Sequence, residues 1–586
     1  MDATAAEEDE TRAAKRARLT PSTADLISGL DDDVLLRVLG LVPDASDAAR
    51  AGALSRRWRG LWARVPALRF ASRPEPLGVS GAGLERYAAV VDGVLARRAR
   101  SGCAIESLSI LYATGSDEHS LEHQPTMPPF ADAAQLVIPG LPEPETERNL
   151  EQQMPASVYA AQRWMGYAFR HGVRSFDLDL RLPFVPPNLS WEHDDDYAEG
   201  KKRPAVLLDE LPDPVRLETM RLALGGTRLR LPAAIMKFAS LTDLSLERIR
   251  IAAGGAHLLG RLVSSASCPR LQKLRMKKIY IQAFYEEMSL EADVLSELWM
   301  EDVRVLMSLK LTTPRLRVLH IYKCSHEVLR VSAPRLEELA ICQLGYPAPM
   351  RLDVDGNLPC VRRLKLCLRS HCRSNSRLSS YLKAENDTSL LLLEHCSSLT
   401  CLQVILHGPK LFKEDVNMIK SRVPHLPHVT SLTVNVSLPF KRHGYGASVG
   451  SLLTRFRNLR HLSLHLPFFC ELGPPIKSPR LNHLCHHRYH WKSNDISMDH
   501  LEEVELTGLT GTDCELWFMK TMLASAKRLC KVAISFNPCC WQHPGKMDAF
   551  ERMLVDEGML VSHRDTHTLT CLELICARGC SVTNIV

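Results

Sequence analysis

A short leucine pattern, L-x-x-L-x-L, recurs along most of the 586 residues of this chain and constrains its fold more than any other feature. The clearest copies lie about 20 to 25 residues apart and start at Leu271, Leu295, Leu316, Leu336 and Val361. Further copies start at Ile105, Val173, Leu217, Leu241, Leu399, Val429, Leu459, Leu501, Leu529 and Leu569. One copy is too small to bury its own leucines, so the copies must stack and share a continuous core. The pattern therefore predicts a repeat array.

Each copy is predicted to contain a β-strand, whose side chains alternate between two faces. Apolar positions 1, 4 and 6 then point inward, and positions 3, 5 and 7 lie on the opposite face, where we expect a protein target to bind. That face should carry Lys273, Arg275, Lys277, Glu297, Trp299, Glu301, His320, Tyr322, Glu338, Arg363 and Lys365. As target-contact residues we select Lys273, Arg275, Trp299, Tyr322 and Arg363. Trp299 is the expected anchor, because large aromatic side chains dominate binding interfaces. The alternative is a solvated mosaic of charges in which a loop covers Trp299.

Residues 25–70 follow a helical periodicity instead. Apolar residues recur at three- and four-residue spacing before Pro43 and are Leu30, Val34, Leu35, Val38, Leu39 and Val42. A second apolar series, closed by Pro66, consists of Ala48, Leu54, Trp58, Leu61 and Trp62. Two or three helices of this size bury little by themselves. The unit therefore either packs on the rest of the chain or presents its apolar face to a partner.

The remaining segments are predicted to be connections. Residues 1–24 are small, polar and charged, which predicts a disordered tail. The basic run 15–18 within it is either a nuclear import signal or an ordinary solvated cluster. Residues 84–100 predict one amphipathic helix. Residues 114–156 and 192–203 are predicted loops, because they are rich in Pro, Glu and Gln or in charged residues.

Charge and composition exclude several classes of partner. The net charge of +6 is small, and both signs alternate along the chain, so a nucleic-acid partner is not expected. No stretch has the ~20 consecutive apolar residues of a membrane span. No export signal is visible, so the 18 cysteines are expected to be reduced thiols of a cytoplasmic or nuclear protein.

Enzyme signatures are missing from the sequence. We find no G-x-x-x-x-G-K-S/T phosphate loop, no G-x-G-x-x-G after a strand and no G-x-S-x-G motif. The His-rich segment 483–490 has no C-x-x-C partner, so a polar insertion loop is favoured over zinc. Cys539 and Cys540 are interpreted as loop thiols. We therefore expect a protein that is not an enzyme and that holds no cofactor and no metal.

The segment from Asp25 to Phe70 resembles the F-box of plant F-box proteins. The matching residues are Asp25, Leu26, Ile27, Ser28, Leu30, Asp32, Leu35, Leu36, Val38, Leu39, Leu41, Ala53, Leu54, Ser55, Arg57, Trp58, Arg59, Leu61, Trp62 and Pro66. The family usually has Leu-Pro-Asp where this chain has Leu30-Asp31-Asp32, which removes one apolar contact. The resemblance implies docking on a Skp-type adaptor that links to a cullin–RING ubiquitin ligase. The implied contact residues are Leu30, Leu35, Leu39, Leu54 and Trp58. For Leu54 and Trp58, a role in the core of the helical unit is an equal alternative.

Two further segments resemble parts of the same plant proteins. The run from Leu501, with a Gly508-Leu509-x-Gly511 turn, resembles the FBD domain that follows their leucine-rich repeats. Residues 163–174 resemble the helix that opens those repeats. The expected fold class is α/β, with a short helical F-box, an irregular leucine-rich-repeat horseshoe and an FBD-like cap. The expected boundaries are a 1–24 tail, a 25–70 F-box, a 71–104 linker helix, 105–498 repeats and a 499–586 FBD-like region.

This resemblance implies a substrate-recruiting subunit of an SCF-type (Skp–cullin–F-box) ubiquitin ligase, whose repeats bind a protein target. The alternative is a leucine-rich-repeat scaffold that works without a ligase. A third hypothesis, a repeat array with a small-molecule pocket, is marked by no feature of the sequence.

Overall fold

The computed structural model covers the chain and divides it into two compact units, Met1–Val185 and Pro186–Val586. The structure describes residues 29–42, 44–51, 56–72, 82–113, 144–182, 204–252, 254–281, 286–304, 306–324, 327–342, 351–354, 358–369, 377–407, 426–437, 446–466, 496–509, 513–536, 548, 552, 555, 559–566 and 569–576.

The first unit begins with three short helices and continues as alternating strands and helices. Its elements are α1 (Asp32–Gly40), α2 (Ala45–Ala51), α3 (Arg56–Leu61), a 3-10 turn (Trp62–Arg64), β1 (Ala67–Ala71), α4 (Ala82–Ser101), β2 (Ser107–Ala113), α5 (Pro144–Arg170) and β3 (Ser175–Arg181). Strands β1, β2 and β3 form a parallel sheet. The predicted helix 84–100 is confirmed as α4. Strand β1 begins inside the segment that resembles an F-box, so the sheet starts before residue 70.

A buried tryptophan fixes the packing of α4 on α5. The indole Nε1 of Trp164 donates a hydrogen bond of 2.9 Å to Asp92, and Arg163 donates to the same carboxylate at 2.7 Å. The ring of Tyr87 meets Trp164 edge-on, and the Tyr87 hydroxyl donates to the Leu111 carbonyl oxygen. These contacts give the buried indole and phenol their hydrogen-bond partners, as burial of a polar group requires.

The second unit is built mainly from short strands. Its elements are β4 (Ala205–Leu207), a 3-10 turn (Leu208–Glu210), β5 (Thr219–Ala223), β6 (Arg228–Arg230), β7 (Asp243–Ile251), α6 (Gly255–Leu262), β8 (Lys273–Ile281), β9 (Glu286–Glu291), β10 (Glu297–Glu301), β11 (Leu306–Thr312), β12 (Val318–Tyr322), β13 (Val328–Ser332), β14 (Glu338–Cys342), β15 (Arg351–Val354), β16 (Arg363–Arg369), α7 (Arg377–His395), β17 (Cys401–His407), β18 (Ser431–Ser437), α8 (Gly446–Leu453), β19 (His461–His465), β20 (Glu503–Leu509), α9 (Asp513–Ser525), β21 (Lys531–Phe536), β22 (Met559–Thr566) and β23 (Leu569–Cys576).

A ladder of buried leucines runs through the large parallel sheet of this unit. Ten strands of the copies pair in this sheet without offset, so the leucine at position 4 of one copy faces its equivalent on the next strand, as Leu274, Leu298 and Leu319 do. These strands are β7, β8, β10, β12, β14, β16, β17, β18, β19 and β20. All three are buried. Each full burial contributes roughly 1.5–3 kcal/mol, and the ladder repeats that contribution strand after strand. The predicted strands are confirmed for every copy from Ile105 to Leu529, each strand starting two residues after the copy.

Four consecutive strands share a left-handed residue directly after position 7. Arg248, Lys278, Asp302 and Lys323 have φ angles of 51 to 55°. A non-glycine residue in this region costs roughly 1–2 kcal/mol, so the surrounding ladder must hold it. The kink interrupts the pairing between β7 and β8, which skips from Glu247/Lys277 to Ile249/Ile279. The repeat is therefore a repeat of backbone conformation as well as of leucines.

Several parts of the fold differ from the sequence-based expectation. A second parallel sheet, β9-β11-β13-β15, forms from segments between the leucine copies, where the leucine pattern predicts no strand. The copy at Leu569 does form β23, but β23 runs antiparallel to both β21 and β22. Gly508 lies in a β-bulge of β20 rather than in a turn, since the register shifts between Thr507 and Leu509.

The predicted loop 114–156 is wrong over residues 144–156, which form the start of α5. Pro144 occupies the first helical position, where its missing N–H is not needed, and the following Glu, Arg and Gln residues favour helix. Pro155 lies inside the helix. Proline is unfavourable in a helix interior, and for this reason the sequence predicted a loop. The tail 1–24, the loop 192–203, the His-rich segment 483–490, Cys539 and Cys540 lie outside the described residues.

The structure confirms the α/β class: the protein is a mixed α/β chain with a large parallel sheet and few helices. Within the described part of the chain, no helix has both the length and the apolar character needed to cross a bilayer.

The bulge at Gly508 generates a stability prediction. Its φ is +79°, and a Cβ built there would lie 2.3 Å from the Leu466 carbonyl oxygen. We expect Gly508→Ala to lower the free energy of unfolding by at least about 2 kcal/mol, through backbone strain and the clash. Thermal and urea unfolding measure the change. Gly93→Ala on α4 is the matched control, because nothing lies within 4 Å of a Cβ there. Gly93→Ala should raise the free energy of unfolding by about 0.5–1 kcal/mol. If both variants changed the free energy of unfolding equally, the prediction would be contradicted.

Candidate functional site

The three N-terminal helices pack around a small core of their own. The core consists of Leu35, Leu39, Ala48, Leu61 and Val65, with Leu36, Val42, Ala51, Trp58 and Trp62 partly buried against it. Asp32 and Asp33 in the first turn of α1 and Arg37 in its last turn suit the helix dipole. The buried Arg98 of α4 donates a hydrogen bond to the Val65 carbonyl oxygen, which ties the end of this helical unit to α4.

A second face of α1, next to the one that meets this core, carries a stripe of exposed apolar side chains. Leu30, Val34, Val38 and Leu41 are 37%, 42%, 46% and 76% exposed. Val34, Val38 and the C-cap residue Leu41 are spaced by four and three residues, which places them on one helical face. Leu30 lies in the chain just before the helix. We refer to these four residues as the α1 stripe. The helix is therefore apolar on two neighbouring faces, one closed by its own unit and one open.

An arginine of α3 holds the start of α1 in place. Arg57 donates to one carboxylate oxygen of Asp32 through Nε at 2.9 Å and Nη2 at 2.7 Å, and Nη2 also donates to the Leu30 carbonyl oxygen. Arg64 lies 3.6 Å from the other Asp32 oxygen. These groups are substantially exposed, so the ion pairs contribute at most about 1 kcal/mol. They fix the position of Leu30 at the beginning of the α1 stripe.

The second candidate surface is the outward face of the large parallel sheet. Position 5 of five neighbouring strands carries Arg275, Trp299, His320, Ala340 and Lys365 in direct register. Trp299 is 39% exposed, which favours an open anchor over a side chain covered by a loop. The Arg275 guanidinium lies 6.0 Å from the centre of the indole ring on one side. The His320 ring centre lies 3.8 Å from it on the other side.

Ion pairs and hydrogen bonds link the flanking charges. His320 Nε2 and Glu338 Oε1 are 2.8 Å apart, and the other oxygen of Glu338 lies 3.4 Å from Nε of Arg363. Lys273 and Glu297 are 3.0 Å apart at position 3 of their strands. A cation–π contact, a ring contact and two polar contacts thus connect Arg275 to Arg363 across the sheet.

The environment of His320 disfavours its charged form. Burial lowers its pKa below the ordinary value, and the positive charges of Lys365 and Arg363 add to this effect. The hydrogen bond and charge of Glu338 act in the opposite direction and are weaker.

Two cysteines lie side by side further along the same face. Cys342 ends β14, and Cys367 lies in the neighbouring strand β16. A hydrogen bond between their side chains lowers the pKa of Cys342 and raises that of Cys367. Both are free thiols. Among the described residues, no group of three or more His, Cys, Asp or Glu side chains has the arrangement of a metal site.

The predicted target-contact residues occupy one surface. Arg275 and Trp299 are adjacent in register, and Arg363 reaches them through Glu338 and His320. Lys273 is bound to Glu297, and the ring of Tyr322 lies 5.1 Å from Nζ of Lys323. The choice of five residues passed over Lys365 and Ala340, which complete the position-5 row. The leucine pattern by itself assigns Lys365 and Ala340 to position 5, so the whole row was predictable from the sequence.

The predicted adaptor-contact residues are separated by the structure. Leu30 is exposed on the α1 stripe, whereas Leu35 and Leu39 lie in the core of the helical unit. Trp58 is partly buried against that core. Leu54 lies outside the described residues. Val34, Val38 and Leu41 are not among the predicted contact residues. The apolar residues of this segment are too many for one helical face, and that excess is the sequence signal for a second, exposed face.

Comparison with known proteins gives short matches to plant proteins. No protein-family profile matches the chain. An F-box/FBD/LRR-repeat protein of Arabidopsis thaliana is 45% identical over 62 residues, which are 11% of this chain and 13% of the relative. An FBD-associated F-box protein of the same plant is 52% identical over 44 residues, 8% of this chain and 11% of the relative. F-box/LRR-repeat protein 25, also from Arabidopsis thaliana, is 38% identical over 48 residues, 8% of this chain and 19% of the relative.

These matches confirm the resemblance to plant F-box and FBD-associated proteins. The matched segments span less than a fifth of the length of each of these relatives.

The contacts of His320 generate a pH prediction. Because its folded-state pKa is depressed, we expect its contribution to stability to be complete above the unfolded-state pKa of about 6.5. That contribution is lost as the pH falls through the folded-state pKa. Protonated imidazole quenches a neighbouring indole, so the fluorescence of Trp299, taken as the difference from a Trp299→Phe variant, should report the midpoint.

Two substitutions should move that midpoint in opposite directions. Lys365→Met removes a nearby positive charge and should raise it, while Glu338→Gln removes the favourable carboxylate and should lower it. Shifts in the same direction would contradict the assigned contacts.

Proposed function

We propose that this chain is a target-recruiting subunit of an SCF-type ubiquitin ligase. Its N-terminal helical unit binds a Skp-type adaptor, which connects it to a cullin–RING enzyme, and its parallel sheet binds a protein target. The F-box and LRR proteins to which it is similar support the first part by their names. The single observation that carries the proposal is the open α1 stripe.

Uncovered aliphatic side chains on a small helical unit favour burial in an interface. The α1 stripe exposes four such side chains side by side, while the core beneath it is already closed by Leu35 and Leu39. Covering an aliphatic side chain contributes roughly 1.5–3 kcal/mol when its burial is complete. A partner with a complementary apolar groove would therefore gain substantial affinity from the stripe alone.

Under this proposal, the five adaptor-contact residues implied by the resemblance have different roles. Leu30 contacts the adaptor directly, together with Val34, Val38 and Leu41. Leu35 and Leu39 contribute indirectly, because they pack in the core and hold α1 against α3 and the following 3-10 turn. Trp58 and Leu54 remain candidates for the edge of the same interface.

The mechanism is recruitment by proximity. Holding a target near the loaded ubiquitin carrier raises the effective concentration of its lysines, which accelerates transfer without any chemistry by this chain. Lys273, Arg275, Trp299, Tyr322 and Arg363 are the proposed target contacts. No catalytic residue, cofactor or metal is part of the proposal, and its place of action is the cytoplasm or the nucleus.

The finer architecture belongs to the same proposal. Residues 25–70 form the F-box, 71–104 a linker helix, 105–498 a leucine-rich-repeat horseshoe with insertions, and 499–586 an FBD-like cap. The zero-offset pairing of the leucine ladder supports the repeats. The antiparallel pairing of β23 with β21 supports a cap, because it covers an edge that parallel repeats would otherwise leave open.

A scaffold without ligase association is the second candidate. Asp31, in place of the usual proline, puts an exposed carboxylate beside Asp32 and Asp33 at the start of the α1 stripe. Charge there would weaken docking on an apolar groove. Co-purification of a cullin from plant cells would decide for the ligase subunit, and its consistent absence would decide for the scaffold.

Adaptor binding provides the direct test. We expect Val38→Asp combined with Leu41→Asp to weaken binding of the full chain to a plant Skp-type adaptor at least about 100-fold. Each change removes an apolar contact and buries a charge. Isothermal titration calorimetry of the purified proteins measures the change.

Val90→Asp is the matched control, because Val90 is 56% exposed on α4, away from the α1 stripe. The control should bind as the wild type does, and all variants should unfold at similar temperatures. Wild-type protein that fails to bind, or a double variant that binds equally well, would overturn the proposal.

A further inference from the structure

The position-5 row of the outward sheet face has the composition of a peptide-binding strip. Its members are Arg275, Trp299, His320, Ala340 and Lys365, one from each of β8, β10, β12, β14 and β16. We call this row the Trp299 strip. Zero register offset brings the five side chains into one line across the strands.

The acidic groups around the strip are already paired. Glu297 is bound to Lys273 at 3.0 Å, and Glu301 lies 3.7 Å from Lys277. Glu338 is shared between His320 and Arg363. In the part of the chain that the structure describes, neither Arg275 nor Lys365 has a carboxylate within ion-pair distance. The two ends of the strip are therefore uncompensated positive charges.

The middle of the strip, between Arg275 and Lys365, carries no charged Lys, Arg, Asp or Glu side chain. Trp299 exposes an indole whose position is fixed by Arg275 on one side and His320 on the other. Ala340 follows His320, is the smallest side chain of the row and is buried. An exposed indole suits contact with a single apolar side chain of a ligand.

We propose, on the basis of the function proposed above, that the Trp299 strip binds an extended acidic segment of the target. The segment crosses the strands, pairs one carboxylate with Arg275 and one with Lys365, and places an apolar side chain between them. Parallel strands lie about 4.8 Å apart, so the row from β8 to β16 is about 19 Å long. An extended chain advances about 3.3–3.6 Å per residue, which sets the two carboxylates about five or six residues apart.

Fluorescence anisotropy with labelled nine-residue peptides tests this inference on the full chain. One peptide carries two glutamates six positions apart with a leucine midway, and its control carries glutamines instead. The acidic peptide should bind at least tenfold more tightly than the glutamine peptide. Its affinity should fall as salt is raised from about 50 to 200 mM, because the two ion pairs are screened.

Two double variants distinguish binding by the Trp299 strip from attraction by the overall positive charge of the protein. Arg275→Gln with Lys365→Gln should weaken the acidic peptide at least tenfold. Lys310→Gln with Arg330→Gln removes the same charge from exposed positions of the second sheet and should leave the affinity unchanged. Trp299→Ala should weaken the peptide with the leucine more than a peptide with glycine in its place.

Equal binding of the two peptides, or equal effects of the two double variants, would overturn the inference. So would equally strong competition by single-stranded DNA, since that would show a general polyanion surface. Adaptor binding is measured on the same samples. If the wild-type chain binds the adaptor but not the acidic peptide, only the acidic-segment inference is overturned. If it binds the acidic peptide but not the adaptor, only the ligase proposal is overturned.

Discussion

The zero-offset pairing of equivalent leucines is the constraint on which the second unit depends. Position 4 of each copy faces position 4 of the next, so the buried side chains form a continuous ladder and the strands cannot slip by one residue without exposing it. The same register aligns the outward side chains in rows. The proposed binding surface therefore follows from the requirement that the leucines stack, and its chemistry is decided by outward residues that contribute little to the core.

The N-terminal helical unit differs from the sheet, because part of its apolar surface is not buried in its own core. Its core is small, and α1 uses only one of its two apolar faces to close it. The remaining face stays exposed and is the surface on which the proposed adaptor contact depends. Because Arg57 and Asp32 fix the start of the helix, the α1 stripe is presented in a defined position. Rigid presentation reduces the entropy lost on binding and suits an interface with a constant partner.

Much of the fold was predictable from residue spacing, and the site was predictable only in outline. The recurring leucine pattern located the strand of each copy, and the alternation within strands placed Trp299 and Arg275 on the outward face. Spacing could not show that Glu338 would join His320 to Arg363, since that depends on rotamers chosen in three dimensions. It also could not separate Leu35 from Val34, because neighbouring apolar residues on a helix differ only by which face meets other helices.

The sequence by itself determined the repeat, the position of its strands, the inward leucines and the existence of an apolar helical segment before them. These follow from periodicity, which acts locally along the chain. Only the tertiary structure decided which apolar face of α1 stays open, which charges of the sheet are neutralised, and that β9, β11, β13 and β15 form a sheet of their own. Those outcomes depend on contacts between residues far apart in sequence, and hydrophobic periodicity carries no information about which partner each side chain will meet.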